Sequence, residues 1–474
     1  MTGVQTCALP ISHDPYDPPE PYKSKYASQL YDGEIAYADD CVGKLMAFLL
    51  SQGIYDGALL AVMADHGESL GQHGENTHGV FLYDETIHVP LLIKLPGNRD
   101  AGKKITTRVG LVDVAPTILR GVGLNIPSEM QGEALFGMIE PQSATHPANQ
   151  DRPAYAETQY PHRAFGWSSL RALRKGKYLY VQAPQVELYD QGADPGAAHN
   201  LAATSKAVSE TLAAQLEEFR SKTSQTVLEL AKPDPEQIQK LQALGYVASD
   251  TKAGDTAAVT GVDPKSRIEV SNLLHDALLD VENGNYEHAV PLLERTLKDQ
   301  PDMPVALMQL GIAQAGLRNY GQALEPLEKA VKLLPDSGMG HYQLGLARFE
   351  TGDWKSAAPE FEAAVARAPR WADAHFSLAS VYARIDRVPD AMSELDTTLS
   401  LSPNHYRANL LRGRILSLQG HAEEAVPNLQ KAVEVQPDSY EAHAFLADAY
   451  AQLGRQLDAD RERAEAERLK PPGP

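Results

Sequence analysis

The sequence predicts two kinds of structure in one chain: an α/β unit over residues 13–230 and an all-helical solenoid over residues 267–474. In the first part, short apolar runs alternate with longer helical patterns, which is typical of α/β folds. In the last part, the same residue types recur every thirty-four residues, which is typical of stacked helical hairpins. The length of 474 residues allows about three domains of ~150 residues each.

The composition excludes several classes of protein. A hydrophobic fraction of 43% with 22% charged residues is that of an ordinary globular protein. The net charge of −20 argues against nucleic-acid binding, because phosphate contacts require clustered Lys and Arg. No run of eighteen apolar residues occurs, so we expect no membrane span in this chain. The two cysteines, Cys7 and Cys41, are too few for a disulfide framework.

The elements of the first unit follow from local patterns. The runs "ALLAVM", "VPLLIKL" and "KYLYV" are predicted strands. The run Ala58–Met63 is apolar on both faces, which predicts a central strand of a parallel sheet. Helical patterns cover Tyr31–Gln52, Leu111–Gly121 and Val208–Lys222.

The stretch "ADHGESLGQHGENTHG", residues 64–79, follows the first predicted strand and holds three histidines, one aspartate and two glutamates. Asp65 and His66 lie at the carboxyl end of that strand, where α/β proteins place their active sites. A carboxylate and an imidazole on adjacent residues can both reach a divalent ion. The alternative is a polar loop with chance histidines, which the three residues Asp-His-Gly alone would favour.

The last part of the chain consists of six repeats. Prolines recur at thirty-four-residue intervals from Pro301 to Pro471, and alanines do so from Ala289 to Ala459. Small residues recur with the same period and let two helices approach closely, and the proline ends the second helix. These small residues form a column at Gly311, Gly345, Ala379, Gly413 and Ala447. The pattern resembles the tetratricopeptide repeat, with Leu457–Lys470 as a charged capping helix. Residues 231–266 are predicted to be a linker, with a short helix at Pro235–Leu244 and an Ala/Gly/Thr/Asp-rich second half.

The first twelve residues, "MTGVQTCALPIS", are not expected to belong to either folded unit. They have neither a basic n-region nor an apolar h-region, so they do not form a secretory signal. They resemble the read-through translation of a common sequencing adapter. We therefore expect the protein's own sequence to begin at His13, with its true N-terminus missing.

Five segments resemble the sulfatase family, within the alkaline-phosphatase-like superfamily. They are "HDPYDPPEPY", "YDGEIAYADDCVGKLMAFL", "ADHGESLGQHGENTHGVFLYDETIHVPLLIKLPG", "LVDVAPTILRGVGLNIPSEMQGEAL" and "ELYDQGADPGAAHNLA". They occur in the family's order and cover roughly residues 13–225, which resemble the C-terminal half of a sulfatase. The text "LQALGY" followed by repeats also resembles a bacterial group of sulfatases with repeat tails.

The resemblance implies a role for each of five residues. Asp65 and His66 match two metal ligands, and the usual ion of the family is Ca²⁺. His13 matches the histidine that contacts the sulfate and protonates the leaving oxygen. His78 occupies the place of a sulfate-binding lysine, so it is a second catalytic and substrate-binding candidate. His73 is either a further substrate-binding candidate at the edge of the site or a solvated loop residue. Four acidic residues are expected to orient the loop, and His88 to pack or face solvent; the acidic residues are Glu68, Glu75, Asp84 and Glu85.

The family also requires residues that this sequence does not contain. Its nucleophile is a Cys or Ser in a Cys/Ser-x-Pro-x-Arg motif, and no such motif occurs in the 474 residues. Cys7 has the wrong spacing, and Cys41 is predicted to be a small buried residue in a helix. A second pair of metal ligands, normally two aspartates, is missing as well. We therefore expect this chain alone to be inactive, although the intact protein would hydrolyse sulfate esters.

Two other functions remain open at this point. A phosphodiesterase or phosphoethanolamine transferase of the same superfamily would use a hydroxyl nucleophile with Zn²⁺ or Mn²⁺. A non-catalytic scaffold would retain only the binding role of the repeats. In each case the groove of the repeats is expected to bind a protein or peptide. The family resemblance implies a periplasmic or other extracytoplasmic location.

Overall fold

A computed structural model describes residues 16–139, 151–223 and 259–470 of the chain. These residues form two compact units. The first contains residues 16–139, 151–223 and 259–272, and the second contains residues 273–470. His13, residues 1–12 and the predicted helix Pro235–Leu244 lie outside the described residues.

The first unit begins with two helices and a two-stranded sheet. Helix α1 spans Tyr22–Lys25, and α2 spans Leu30–Ser51, close to the predicted bounds of Tyr31–Gln52. Strand β1, Leu60–Met63, pairs with β2, Leu91–Lys94, in an antiparallel register that places Leu60 opposite Lys94. Cys41, in α2, is a free thiol that is half-buried rather than buried as predicted.

The prediction of a central parallel strand at Ala58–Met63 is wrong for the described residues. Strand β1 has one neighbour, β2, and the two run antiparallel. Val62 and Met63 are 37% and 46% exposed. An apolar run indicates that a strand can be buried, but it does not specify which strand pairs with it or what covers its faces.

A four-stranded antiparallel sheet forms the core of the first unit. Its strands follow one another in space as β3-β4-β5-β6, and their bounds are Ala154–Thr158, Leu170–Lys175, Tyr178–Gln182 and Glu187–Asp190. Because side chains alternate along a strand, Leu179 and Val181 pack on one face and Tyr180 on the other. Helix α7, Lys206–Thr223, covers the second face with Leu212 and Leu216.

The first face of this sheet is covered by residues 80–83. These residues directly follow the His-rich segment 64–79, which is called the candidate loop below. Val80, Phe81, Leu82 and Tyr83 are all at most 5% exposed and pack against strands β4 and β5. The candidate loop is therefore fixed to the sheet at its C-terminal end. The remaining helices of the unit are α3 (Asp84–Ile87), α4 (Val114–Gly121), α5 (Phe136–Ile139) and α6 (Tyr160–Phe165).

The repeats form twelve consecutive helices arranged as six hairpins, which confirms the predicted all-helical fold. Their bounds are α8 (Ile268–Glu282), α9 (Tyr286–Asp299), α10 (Pro304–Gly316), α11 (Tyr320–Leu333), α12 (Gly338–Glu350), α13 (Trp354–Arg367), α14 (Ala372–Arg384), α15 (Val388–Leu401), α16 (Tyr406–Leu418), α17 (Ala422–Val435), α18 (Tyr440–Gln452) and α19 (Gln456–Leu469). No helix among residues 16–139, 151–223 and 259–470 is both long enough and apolar enough to cross a membrane.

Small residues allow the two helices of a hairpin to touch. A Cβ atom at Gly345 would lie 2.9 Å from the Phe361 ring, and one at Gly311 would overlap the Leu327 side chain. Both large side chains are fully buried. The small-residue column of the sequence therefore marks the closest approach of helices within each repeat.

Three repeats share a histidine–glutamate pair whose side chains are buried or half-buried. Nδ1 of His375 lies 2.6 Å from a carboxylate oxygen of Glu394, and its Nε2 lies 3.0 Å from the carbonyl oxygen of Pro369. The ring therefore links the second helix of the repeat to the turn before its first helix. The same arrangement occurs at His341–Glu360 and at His443–Glu462.

Candidate functional site

Asp65 and His66 lie immediately after strand β1, where the chain leaves the sheet. Asp65 Oδ1 accepts the backbone N–H of His66 at 3.1 Å. Nδ1 of His66 lies 2.9 Å from the carbonyl oxygen of Gly67, so Nδ1 is the donor and Nε2 is the lone-pair nitrogen of the neutral ring. Nε2 lies 3.9 Å from Asp65 Oδ1, and both side chains are exposed.

The structure brings two of the predicted site histidines together. The His66 and His78 rings stack with centroids 4.0 Å apart and planes inclined by 28°. Nδ1 of His78 lies 3.2 Å and 3.3 Å from the two carboxylate oxygens of Glu68, whose side chain is nearly buried. Glu68 therefore orients His78, whereas the sequence had predicted only that Glu68 orients the loop, and the stacked pair lies beside Asp65.

His73 belongs to a second pair on the same loop. Its ring stacks on Tyr83 with a centroid distance of 3.8 Å, and its Nε2 lies 3.4 Å from a carboxylate oxygen of Glu85. The backbone of His73 is left-handed, with φ of 54°, which a residue with a side chain rarely adopts. The surrounding structure must therefore stabilise this backbone.

The loop between the two pairs is closed by backbone and side-chain hydrogen bonds. Gly67 N–H donates to the carbonyl of Thr86 at 2.9 Å, and a Cβ at Gly67 would overlap the Glu85 carbonyl, so no larger residue fits. Ser69, which is 1% exposed, donates its hydroxyl to the Glu75 carbonyl at 2.8 Å. The loop is therefore compact and held together by its own hydrogen bonds.

Glu75 is buried inside this loop. Its carboxylate accepts the backbone N–H groups of Val80 and Phe81 at 2.7 Å and 3.2 Å, which confirms that it orients the loop. The residue is 2% exposed. Burial raises the pKa of the Glu75 carboxyl to about 7, because removal from water costs the charged form more than the two N–H donors return.

The other two acidic residues and His88 also have defined surroundings. Asp84 forms an ion pair with Arg174 of strand β4, which ties the loop to the four-stranded sheet. Glu85 contacts His73, as given above. The side chain of His88 is 73% exposed, in agreement with the solvent-facing alternative.

Sequence reasoning missed a buried polar cluster beneath the loop. The Tyr83 hydroxyl donates to Glu187 at 2.7 Å, and Glu187 is also paired with Lys265 and with the Tyr189 hydroxyl. Asn272 makes two further hydrogen bonds to the loop. These residues are spread over almost two hundred positions and share no motif, so no local pattern could have identified them.

The metal prediction can be tested against the donor groups present. Asp65 offers carboxylate oxygens, which are suitable ligands for Ca²⁺, Zn²⁺ and Mn²⁺. His66 offers Nε2, and an imidazole nitrogen suits Zn²⁺ and Mn²⁺ better than Ca²⁺. Within residues 16–139, 151–223 and 259–470, no three His, Cys, Asp or Glu side chains converge as a metal-binding group. The two adjacent donors therefore fit one side of a metal site and not a full coordination shell.

Three families match parts of the chain. The Sulfatase family matches residues 7–124, and the family described as N-sulphoglucosamine sulphohydrolase, C-terminal, matches residues 71–222. The tetratricopeptide repeat family matches residues 277–338, 342–406 and 410–474. Residues 7–222 are therefore a sulfatase-family region, and residues 277–474 are a tetratricopeptide-repeat tail.

The chain is also similar to individual proteins and to solved structures. An N-acetylglucosamine-6-O-sulfatase of Bacteroides thetaiotaomicron is 30% identical over 37% of this chain and 32% of its own length. Arylsulfatase K of Mus musculus is 27% identical over 36% of this chain and 32% of its own length. The chain thus spans about a third of the length of these relatives. A crystal structure of MamA is 27% identical over 34% of this chain and 94% of its own, with a TM-score of 0.33.

Proposed function

We propose that a protein containing this chain hydrolyses sulfate esters at a metal-dependent site to which Asp65, His66 and His78 contribute. The observation that carries the proposal is the stacking of His66 on His78, 4.0 Å apart, beside Asp65 at the end of β1. Residues that the family resemblance assigns to metal and to sulfate are thereby adjacent. The sulfatase-family match over residues 7–222 supports the same reaction class.

Each residue has a distinct task in this proposal. Asp65 and the Nε2 of His66 hold a divalent ion, with Ca²⁺ as the expected ion of a sulfatase. The ion, when bound, neutralises negative charge on the sulfate oxygens. His78, oriented by Glu68, donates a hydrogen bond to a sulfate oxygen. His13 is the proposed general acid that protonates the leaving alcohol.

The proposal also explains why this chain alone should be inactive. Its sequence contains no Cys/Ser-x-Pro-x-Arg motif, so it lacks the nucleophile of the family. Asp65 and His66 supply only part of a coordination shell, and an ion bound by two protein donors is held weakly. The chain must therefore act together with sequence that supplies both missing parts.

An assay of a polypeptide that carries the motif would test the reaction class. We expect hydrolysis of an aryl sulfate that requires Ca²⁺ and falls at least a hundredfold in His66→Ala. His88→Ala is the matched control, because His88 directly follows helix α3, close in sequence to the site, and has an exposed side chain, so the variant should retain activity. Hydrolysis of an aryl phosphodiester with Zn²⁺ or Mn²⁺, and none of the sulfate, would instead establish the phosphodiesterase alternative.

We further propose that the repeats bind a protein or peptide partner rather than the ester substrate. The tetratricopeptide-repeat match supports this role. In a polypeptide that carries the nucleophile motif, deletion of residues 283–474 should leave turnover of a small aryl sulfate nearly unchanged, since this deletion keeps the first unit and the whole of α8. Loss of most turnover with the first unit still folded would contradict the proposal.

A further inference from the structure

Asn272 contacts the candidate loop although it lies almost two hundred residues away in sequence. Its side-chain Nδ2 donates to the carbonyl oxygen of Gly74 at 2.8 Å. Its Oδ1 accepts the backbone N–H of Asn76 at 3.3 Å. A carboxamide has one acceptor and one donor group, and here it pairs with the loop backbone as a neighbouring strand would.

We propose that Asn272 is a positioning residue of the candidate site, which fixes the loop carrying His73 and His78. The proposal rests on the proposed function for the meaning of that loop. Residues 74–76 connect the two histidines, so a change in their backbone moves both rings. His73, with its left-handed backbone, directly precedes the Gly74 carbonyl that Asn272 binds.

Asn272 can act in this way because the residues before it are attached to the first unit. Asp263 accepts the backbone N–H of Gln185 at 3.0 Å, and Lys265 forms an ion pair with the buried Glu187. Ile268 packs against the core of the unit and faces Gly74. The first turn of α8 is therefore part of the first unit, and it holds Asn272 against the loop.

The same segment also supports the His73 ring. Glu187, the partner of Lys265, accepts the Tyr83 hydroxyl at 2.7 Å, and the Tyr83 ring stacks on His73. The backbone after His73 is thus held by Asn272, and the ring is held through Tyr83. Both supports begin in residues 263–272, beyond residue 222, where the sulfatase-family match ends.

The first test uses the 474-residue chain and nuclear magnetic resonance of ¹⁵N-labelled histidine rings. We expect Asn272→Ala to shift or broaden the ring signals of His73 and His78 while leaving those of His162 and His199 unchanged. His162 and His199 lie in the same unit outside the loop. Asn285→Ala is the matched control, because Asn285 is exposed and lies in the repeats, and it should change none of these signals.

A second variant keeps the test decisive if Asn272→Ala does not fold. Asn272→Asp retains an acceptor for the Asn76 N–H but cannot donate to the Gly74 carbonyl, so it should disturb the same two rings. Unchanged signals of His73 and His78 in a folded Asn272 variant would overturn the proposal. Equal changes in all histidines of the unit would also overturn it, since they would show general destabilisation.

The second test uses a polypeptide that carries the missing nucleophile motif. Asn272→Ala should lower kcat/KM for an aryl sulfate about tenfold or more, with the effect in kcat, because displaced groups lose transition-state contacts. If the rings move in the first test but the unaltered polypeptide hydrolyses no sulfate, Asn272 positions the loop and the proposed reaction is wrong. If the rings do not move, the positioning role is wrong whatever the activity.

Discussion

The repeats and the N-terminal part of the first unit differ in how much of each helix they bury. Helix α2 has 22 residues, and Gly33 is its one buried residue. Helix α13 has 14 residues and buries Ala357, Ala358, Phe361 and Ala364. A repeat completes its core with helices that are adjacent in sequence, whereas α2 and strand β1 need partners from distant parts of a chain. Local sequence therefore suffices to predict the packing of the repeats, but not the packing of α2 and β1.

The largest expected effect compares one substitution in both regions. Phe361 is fully buried and Phe48 is 58% exposed. Phe361→Ala should lower the free energy of unfolding of the repeats by about 3–5 kcal/mol, because it leaves a cavity. Phe48→Ala should change the stability of the first unit by less than about 0.5 kcal/mol. Urea denaturation followed by hydrogen exchange in each region measures both, and equal losses would contradict the comparison.

A second difference is the pH dependence of the first unit. Burial raises the pKa of Glu75 from 4.5 to about 7, so the folded state binds the proton more tightly than the unfolded state. Its contribution is fully present below pH 4.5 and is lost as the pH rises through about 7, a change of about 3 kcal/mol. Glu75→Gln should remove this dependence in thermal unfolding curves recorded from pH 4 to pH 8. A first unit whose stability rises across that range would contradict the assignment.

A third prediction tests the close contact of helices within a repeat. A Cβ at Gly311 would overlap Leu327, whereas nothing lies within 4 Å of one at Gly321. Gly311→Ala should destabilise the repeats by about 1–3 kcal/mol through overpacking. Gly321→Ala, in helix α11, should be neutral or stabilising by up to about 1 kcal/mol, because Ala favours helix. Similar urea midpoints for the two variants would show that the seam is looser than described.

The smallest effect concerns the histidine–glutamate pair His375–Glu394. The hydrogen bond to Glu394 raises the pKa of His375 above its usual 6.5, so this contribution is present below pH 6.5 and is lost as the pH rises through the raised value. The fifth repeat has Asn409 and Asn428 in the same places, joined at 3.2 Å. The double variant His375→Asn, Glu394→Asn should therefore retain the fold and lose this pH dependence. Hydrogen exchange in α14 at pH 6 and pH 9 would detect it, and an unchanged difference between the two pH values would count against the charged pair.

Sequence predicted the two regions unequally for physical reasons. The thirty-four-residue period identified the hairpins because every contact that defines them is local or lies in the next repeat. His341, His375 and His443 occupy the same position of their repeats, so a search for repeated polar residues would have found the histidine–glutamate pairs. For strand β1, composition predicted burial, but its antiparallel partner and exposed face depend on distant residues.

The candidate site also combines residues that the sequence predicted with residues that it did not. Asp65, His66 and His78 were identified from one short segment, and the structure places them side by side. The residues that support this loop were not identified from the sequence, because Tyr83, Glu187 and Asn272 become neighbours of the loop only in the folded chain. Isolated polar residues in unrelated segments carry no spacing that a sequence pattern could detect.

The most direct test of the central claim is turnover of an aryl sulfate, with Ca²⁺ present, by two proteins. One is the 474-residue chain, and the other adds an upstream segment with the Cys/Ser-x-Pro-x-Arg motif and the second pair of metal ligands. We expect turnover by the longer protein alone and its loss in Asp65→Asn. Turnover by the 474-residue chain that disappears in Asp65→Asn would contradict the account, because Asp65 and His66 would then belong to a site that is already complete.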